Sequence, residues 1–160
     1  LPERFTVRKR GGKEVVVVLP MTEERVLLQL RNVRDGIDFP GHWGFFGGSI
    51  EIAESPEDAA LREISEELGH EPPILYPLGL TRLEDHDGLI SYAYWYPLAL
   101  EVKDISLREG DDMVLATLDE VESGMIFSAK LNKAFPVAGN GYMEKVIGKA
   151  LAYDVNNAHY

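Results

Sequence analysis

Apolar positions along this chain fall into short runs of two different periods. Residues 15–19, VVVVL, are a β-branched run suited to a buried strand. Residues 25–31, RVLLQLR, read as a second strand following a Pro20-Met21-Thr22-Glu23-Glu24 turn. Residues 39–46 are rich in Gly, Pro and aromatic side chains and predict a loop or short strand. Residues 74–83 and 89–101 predict two strands joined across Glu84-Asp85-His86-Asp87-Gly88, a strong turn signal, and 113–118 predict another short strand. Residues 119–124 predict a short helical turn. Residues 142–153 are apolar at helical spacing and predict a closing helix packed on the sheet.

The most telling helix lies between these strands, over residues 56–68. Ser55 is a capping residue, Pro56 fits the first turn, and Glu57 and Asp58 suit the positive dipole end. Gly69 stands just past the end, and Pro72-Pro73 cannot continue a helix. At roughly 100° per residue, Ala60, Leu61, Ile64 and Leu68 gather on one side and Glu63, Glu66 and Glu67 on the other. A plain solvated face is the ordinary reading of such acids. Here they sit at the end where the dipole disfavours negative charge, and each close pair costs a few tenths of a kcal/mol. Five acids share the helix with a single base, Arg62, so internal pairing cannot neutralise it. A bound divalent cation would turn that cost into a gain, because hard metals take oxygen ligands.

The segment GSIEIAESPEDAALREISEELG carries Gly48, Glu54, Arg62-Glu63, Glu66-Glu67 and Gly69 at fixed spacing. It resembles the signature of the Nudix hydrolases, Gx5Ex7REUxEExGU with U aliphatic, and departs from it only at His70. The resemblance implies an α/β fold, an α/β/α sandwich with a mixed sheet and a loop–helix–loop motif. It implies Mg²⁺ or Mn²⁺ as cofactor, and cleavage of a nucleoside diphosphate linked to another moiety by water attack on phosphorus. By motif position Glu63 and Glu67 match the principal metal ligands, and Glu66 a further ligand or the group that handles water. The identity of the base stays open. Arg62 matches the arginine that holds the carboxylates, Glu54 its structural partner or a group near the metal, and the Gly47 carbonyl a member of the metal shell. Gly47-Gly48 would also let the backbone approach a phosphate closely.

Outside the motif each assignment has a competitor. His42-Trp43-Gly44-Phe45-Phe46-Gly47-Gly48 resembles the family's lead-in, so Trp43 or Phe45 could stack on a base or fill the core. Arg31 matches a phosphate-contacting position or is an ordinary strand-end charge. Glu109 and Asp112 are candidates for one more acid, Asp112 slightly ahead, against a solvated turn. His86 could reach the site or be an exposed loop histidine. Tyr92, Tyr94 and Tyr96 alternate, share one sheet face and are expected to pack.

With 160 residues, 45% of them hydrophobic and 27% charged, the chain is expected to be one domain spanning 1–160. A net charge of −11 argues against a nucleic-acid polymer or an anionic membrane as partner. A small-molecule diphosphate, nucleotide-derived as the resemblance implies, remains compatible because a cation supplies the missing charge; a second copy of the chain as partner is left open. No cysteine is present, no apolar run approaches a membrane span, and no signal-peptide pattern opens the sequence, so the cytoplasm is the expected compartment. Nucleoside triphosphates, nucleotide sugars, ADP-ribose-like compounds and non-nucleotide diphosphates all remain candidate substrates. A catalytically silent nucleotide-binding module is the competing class, and the intact Arg62, Glu63, Glu66 and Glu67 favour an enzyme over it.

Overall fold

The computed structural model describes residues 13–32, 41–139 and 141–157; the start of the aromatic lead-in, at residues 39–40, lies outside them. Nine strands are present among the described residues: β1 Glu14–Thr22, β2 Arg25–Leu30, β3 Trp43–Gly44, β4 Phe46–Ser49, β5 Tyr76–Leu83, β6 Leu89–Pro97, β7 Asp112–Thr117, β8 Met125–Ser128 and β9 Lys133–Pro136. Three α-helices accompany them: α1 Pro56–Leu68, α2 Leu118–Glu122 and α3 Tyr142–Leu151.

β1 organises a mixed seven-stranded sheet. One edge runs parallel to β6, from Glu14 opposite Ile90 to Met21 opposite Pro97. The other edge is divided: β4 pairs antiparallel with Val15–Val18, and β2 pairs with Met21 and Thr22. β5 flanks β6, while β2 also pairs with β3 and β7. Because strand side chains alternate, β1 feeds two cores. Val16 and Val18 pack with Phe46, Ala60, Ile64 and Leu68 beneath α1. Leu19 and Met21 pack with Trp43, Met143 and Ile147 beneath α3. Helices on both faces give the expected α/β/α sandwich.

Several boundaries differ from the sequence reading. Pro20, Met21 and Thr22 belong to β1, and the turn is reduced to Glu23 and Glu24, both at positive φ. β6 stops at Pro97, which has no amide to extend the ladder. The β8–β9 hairpin was not foreseen at all. It holds Ile126, whose carbonyl accepts the Trp43 indole N–H at 2.9 Å. No helix among the described residues is long and apolar enough to cross a membrane.

α1 begins and ends where its sequence signals place it. The Ser55 hydroxyl accepts the Asp58 amide at 3.0 Å, and Gly69 closes the helix in the left-handed region with its N–H on the Ser65 carbonyl. Its buried side is Ala59, Ala60, Ile64 and Leu68, with Leu61 only half-buried.

Candidate active site

The carboxylates of α1 do not share one open face. Glu66 is exposed, Glu63 is mostly covered, and Glu67 is 1% exposed, turned inward under β4. The three acids that the helical projection gathers on one side therefore differ widely in exposure, as a plain solvated face would not. The cover comes from Gly47 and Gly48. The Gly47 amide donates to Glu67 Oε2 at 3.4 Å. A Cβ on Gly48 would stand 2.3 Å from Glu63 Oε1, so the Glu63 carboxylate lies against a bare Cα. Gly47 itself has φ +142°, and a Cβ there would meet the Val16 carbonyl oxygen at 2.0 Å.

Burial raises the Glu67 carboxyl well above the ordinary range, helped by its hydrogen bond to Glu63 and by the charges of Glu63 and Glu109; the Gly47 amide opposes this in part. Glu109 is brought close because the preceding residue, Arg108, donates its amide to the Glu67 carbonyl at 2.8 Å.

Arg62 holds this cluster from the side. Its Nε and Nη2 grip the two oxygens of Glu54 at 2.8 and 2.9 Å, a bidentate fork. Nη1 donates to Glu63 Oε1 at 3.0 Å and reaches Glu66 Oε2 at 3.5 Å, and Nη2 also donates to the Ser49 carbonyl. The Arg62 guanidinium, followed by the Glu51 amide, lowers the Glu54 carboxyl to about 2. In turn Glu54, then Glu63, raises Arg62 further. Glu54 is thus the structural partner of Arg62.

Among the described residues no three acidic or histidine side chains already converge on one point. The donor set nevertheless fits a hard divalent cation. Two adjacent carboxylates, one of them buried so that its charged form is disfavoured, are an arrangement that a bound cation relieves by supplying the opposing charge. Glu66 would have to leave Arg62 to join them, and its long contact and exposure make that a small change.

Gly47 and Gly48 also border a cavity of 760 Å³ on β1, β4, β6 and α3. Arg31 and Phe45 line it, as does His86 from the exposed turn. Trp43 does not: it is fully buried and bonded to Ile126, so base stacking is corrected to a core role. Asp112 is engaged elsewhere, accepting the Met113 amide at 2.8 Å and the Ser128 hydroxyl at 2.6 Å, which reverses its precedence over Glu109. Tyr96 is buried, and Tyr92 and Tyr94 pack against the core under α1, as their alternation predicts. His70 bonds through Nε2 to the Tyr96 hydroxyl at 2.6 Å, and burial keeps its ring below the usual histidine value. Ser91, Arg82 and Tyr142 also line the cavity and escaped the sequence reading, Tyr142 because its helical spacing reads as packing alone.

The NUDIX domain profile matches residues 12–134. Among solved structures, the MutT protein of Methanosarcina mazei is 18% identical with a TM-score of 0.66, covering 86% of this chain and 91% of its own. The E. coli ORF135 protein is 22% identical with a TM-score of 0.61, covering 91% and 92%. The NUDIX domain of Shewanella oneidensis NrtR, solved with ADP ribose, is 20% identical with a TM-score of 0.61, covering 87% and 86%. At these identities the solved structures speak for the fold, a mixed sheet between helices. The profile spans most of the sequence and includes the acidic helix with its arginine, and the chain therefore belongs to the NUDIX domain family as a Nudix hydrolase.

Proposed function

We propose that this hydrolase cleaves the diphosphate bond of a nucleoside diphosphate derivative by attack of water on phosphorus, and that it requires Mg²⁺ or Mn²⁺. The observation that carries the reading is the covered Glu63–Glu67 pair, held under Gly47-Gly48 and braced by Arg62. Glu63 and Glu67 would hold the cation, with Glu66, Glu109 and the Gly47 carbonyl available to complete its shell. When bound, the cation neutralises charge on the diphosphate and lowers the pKa of the attacking water. Arg62, fixed by Glu54, keeps the Glu63 carboxylate aimed, and the bare Cα of Gly48 leaves room for it. Arg31 would meet the far phosphate in the cavity, and Phe45 would lie along a base.

A nucleotide-derived substrate is supported by the cavity, whose volume lies within the roughly 300–1,000 Å³ typical of small-molecule sites, and by the Shewanella NUDIX domain that holds ADP ribose. The test is a panel of nucleoside triphosphates, nucleotide sugars and ADP-ribose with Mg²⁺, with Mn²⁺ and with chelator. Metal-dependent release of a nucleoside monophosphate or pyrophosphate from one class is the expected result. Full activity in excess chelator, or no turnover of any nucleotide despite metal binding, would overturn it.

A further inference from the structure

We propose that Tyr142 and Ser91 form a hydrogen-bonding corner that reads an acceptor atom on the substrate's nucleobase, with Phe45 as the flat wall beside it. This deepens, and rests on, the hydrolase reading above. Tyr142 is the first residue of α3, and its ring meets Phe45 edge-on, with centroids 6.3 Å apart and planes at 71°. Its phenolic oxygen lies 2.6 Å from the Ser91 hydroxyl on β6. All three residues line the cavity that Gly47 and Gly48 separate from the carboxylates.

Two hydroxyls bring two protons, and the bond between them uses one. Among the described residues neither oxygen has a further hydrogen-bond partner. Ser91 is 1% exposed, between Val15 of β1 and Thr81 of β5. The pair therefore retains one O–H to offer, and Tyr142 is the member that carries it to the cavity. Leu89 and Met143 make the neighbouring wall apolar, so a ligand that cannot accept this proton leaves it unpaired on desolvation.

That condition selects among diphosphates. A nucleobase combines a planar face for Phe45 with ring nitrogens or carbonyls that accept a hydrogen bond. An isoprenoid tail would match the apolar wall and strand the hydroxyl. The corner lies across β4 from the metal-binding carboxylates, so it acts on affinity and choice of base more than on the chemical step.

The experiment is calorimetric binding of AMP, GMP, CMP and UMP to wild type, Tyr142→Phe, Ser91→Ala and Phe45→Ala with Mg²⁺ present. Methylenediphosphonate serves as the probe without a base. Tyr142→Phe is expected to weaken at least one nucleoside monophosphate by about three- to tenfold, while methylenediphosphonate binds as in wild type. Ser91→Ala leaves the phenol its own proton but removes the hydroxyl that orients it, so it is expected to weaken the same ligand by a smaller factor, and it stands alone should Tyr142→Phe not fold. Phe45→Ala should weaken all four. For any nucleotide that is turned over, KM rises with the binding loss and kcat changes little. Wild-type binding of all four monophosphates by both hydroxyl variants, or an equal loss of methylenediphosphonate, would overturn the proposal. Should wild type bind a monophosphate through Tyr142 yet hydrolyse nothing, the corner stands and the hydrolase reading fails. Should it hydrolyse a diphosphate lacking a base and bind no monophosphate, the corner fails and hydrolysis stands.

Discussion

Gly48→Ala places a methyl group where the Glu63 carboxylate now lies, 2.3 Å from Oε1, 2.6 Å from Cδ and 3.0 Å from Oε2. Ordinary contact begins at 3.4 Å, so the carboxylate must retreat by roughly 1 Å. The obstructing atoms are the end of a flexible side chain, and β4 can keep its path. The main structural loss is the 3.0 Å bond from Arg62 Nη1, worth about 1 kcal/mol, or roughly 2–4 °C in Tm for a chain of this size. The same displacement at a reacting centre costs about a hundredfold in rate. Metal-titrated hydrolysis alongside a thermal melt separates the two effects: kcat/KM should fall about a hundredfold and the metal midpoint rise, with Tm nearly kept. Gly47→Ala provides the contrast. Its Cβ would strike the Val16 carbonyl oxygen at 2.0 Å from a backbone with φ +142°, so that variant should lose the fold itself. A Gly48→Ala enzyme with wild-type rate and metal dependence would refute the placement of Glu63.

Glu67→Gln should abolish most turnover while leaving the metal-free fold as stable or more so. The folded value of Glu67 lies above its ordinary 4.5, so its contribution to stability is largest below 4.5 and is lost as pH rises toward about 9. Metal-free wild type should therefore weaken over that window and the Gln variant less; an equal or steeper slope in the variant contradicts this. Arg62→Lys cannot reproduce the two-point grip on Glu54, and metal affinity or activity should fall about 10–100-fold, with the Glu54 carboxyl moving up from about 2 by NMR titration. An unmoved Glu54 would count against the clamp. Trp43→Ala should cost about 3–5 kcal/mol in urea unfolding, and a raised KM with an unchanged urea midpoint would restore the stacking role. Glu109→Gln should weaken metal binding, whereas Asp112→Asn should mainly loosen the contact to Ser128; the reverse pattern would return Asp112 to the site.

The helix that carries the site was readable to the residue, because Ser55, Pro56 and Gly69 act locally and report their own backbone geometry. The orientation of Glu67 was not. A helical projection places it with Glu63 and Glu66, but what covers a helix face is set by β4 and by the Arg108 amide, elements distant in sequence. Trp43 and Phe45 present the same difficulty, two aromatics two residues apart with different roles. A hydrogen bond to Ile126, 83 residues away, draws one into the core, and the edge contact with Tyr142 leaves the other on the cavity wall. The β8–β9 strands are four residues each and too short to announce themselves by alternation. Asp112 and Glu109 differ by a local bond that no spacing rule contains: Asp112 answers the Ser128 hydroxyl, and Glu109 is left beside Glu67.

The central claim is that Glu63 and Glu67 together hold a divalent cation for diphosphate hydrolysis. It is tested most directly by measuring turnover of the nucleotide panel against Mg²⁺ concentration, for wild type and for Glu63→Gln and Glu67→Gln. Saturable, metal-dependent release of product that chelator abolishes and each substitution nearly eliminates is the result predicted. Turnover that persists in chelator, or that survives both substitutions with an unchanged metal midpoint, would contradict the claim.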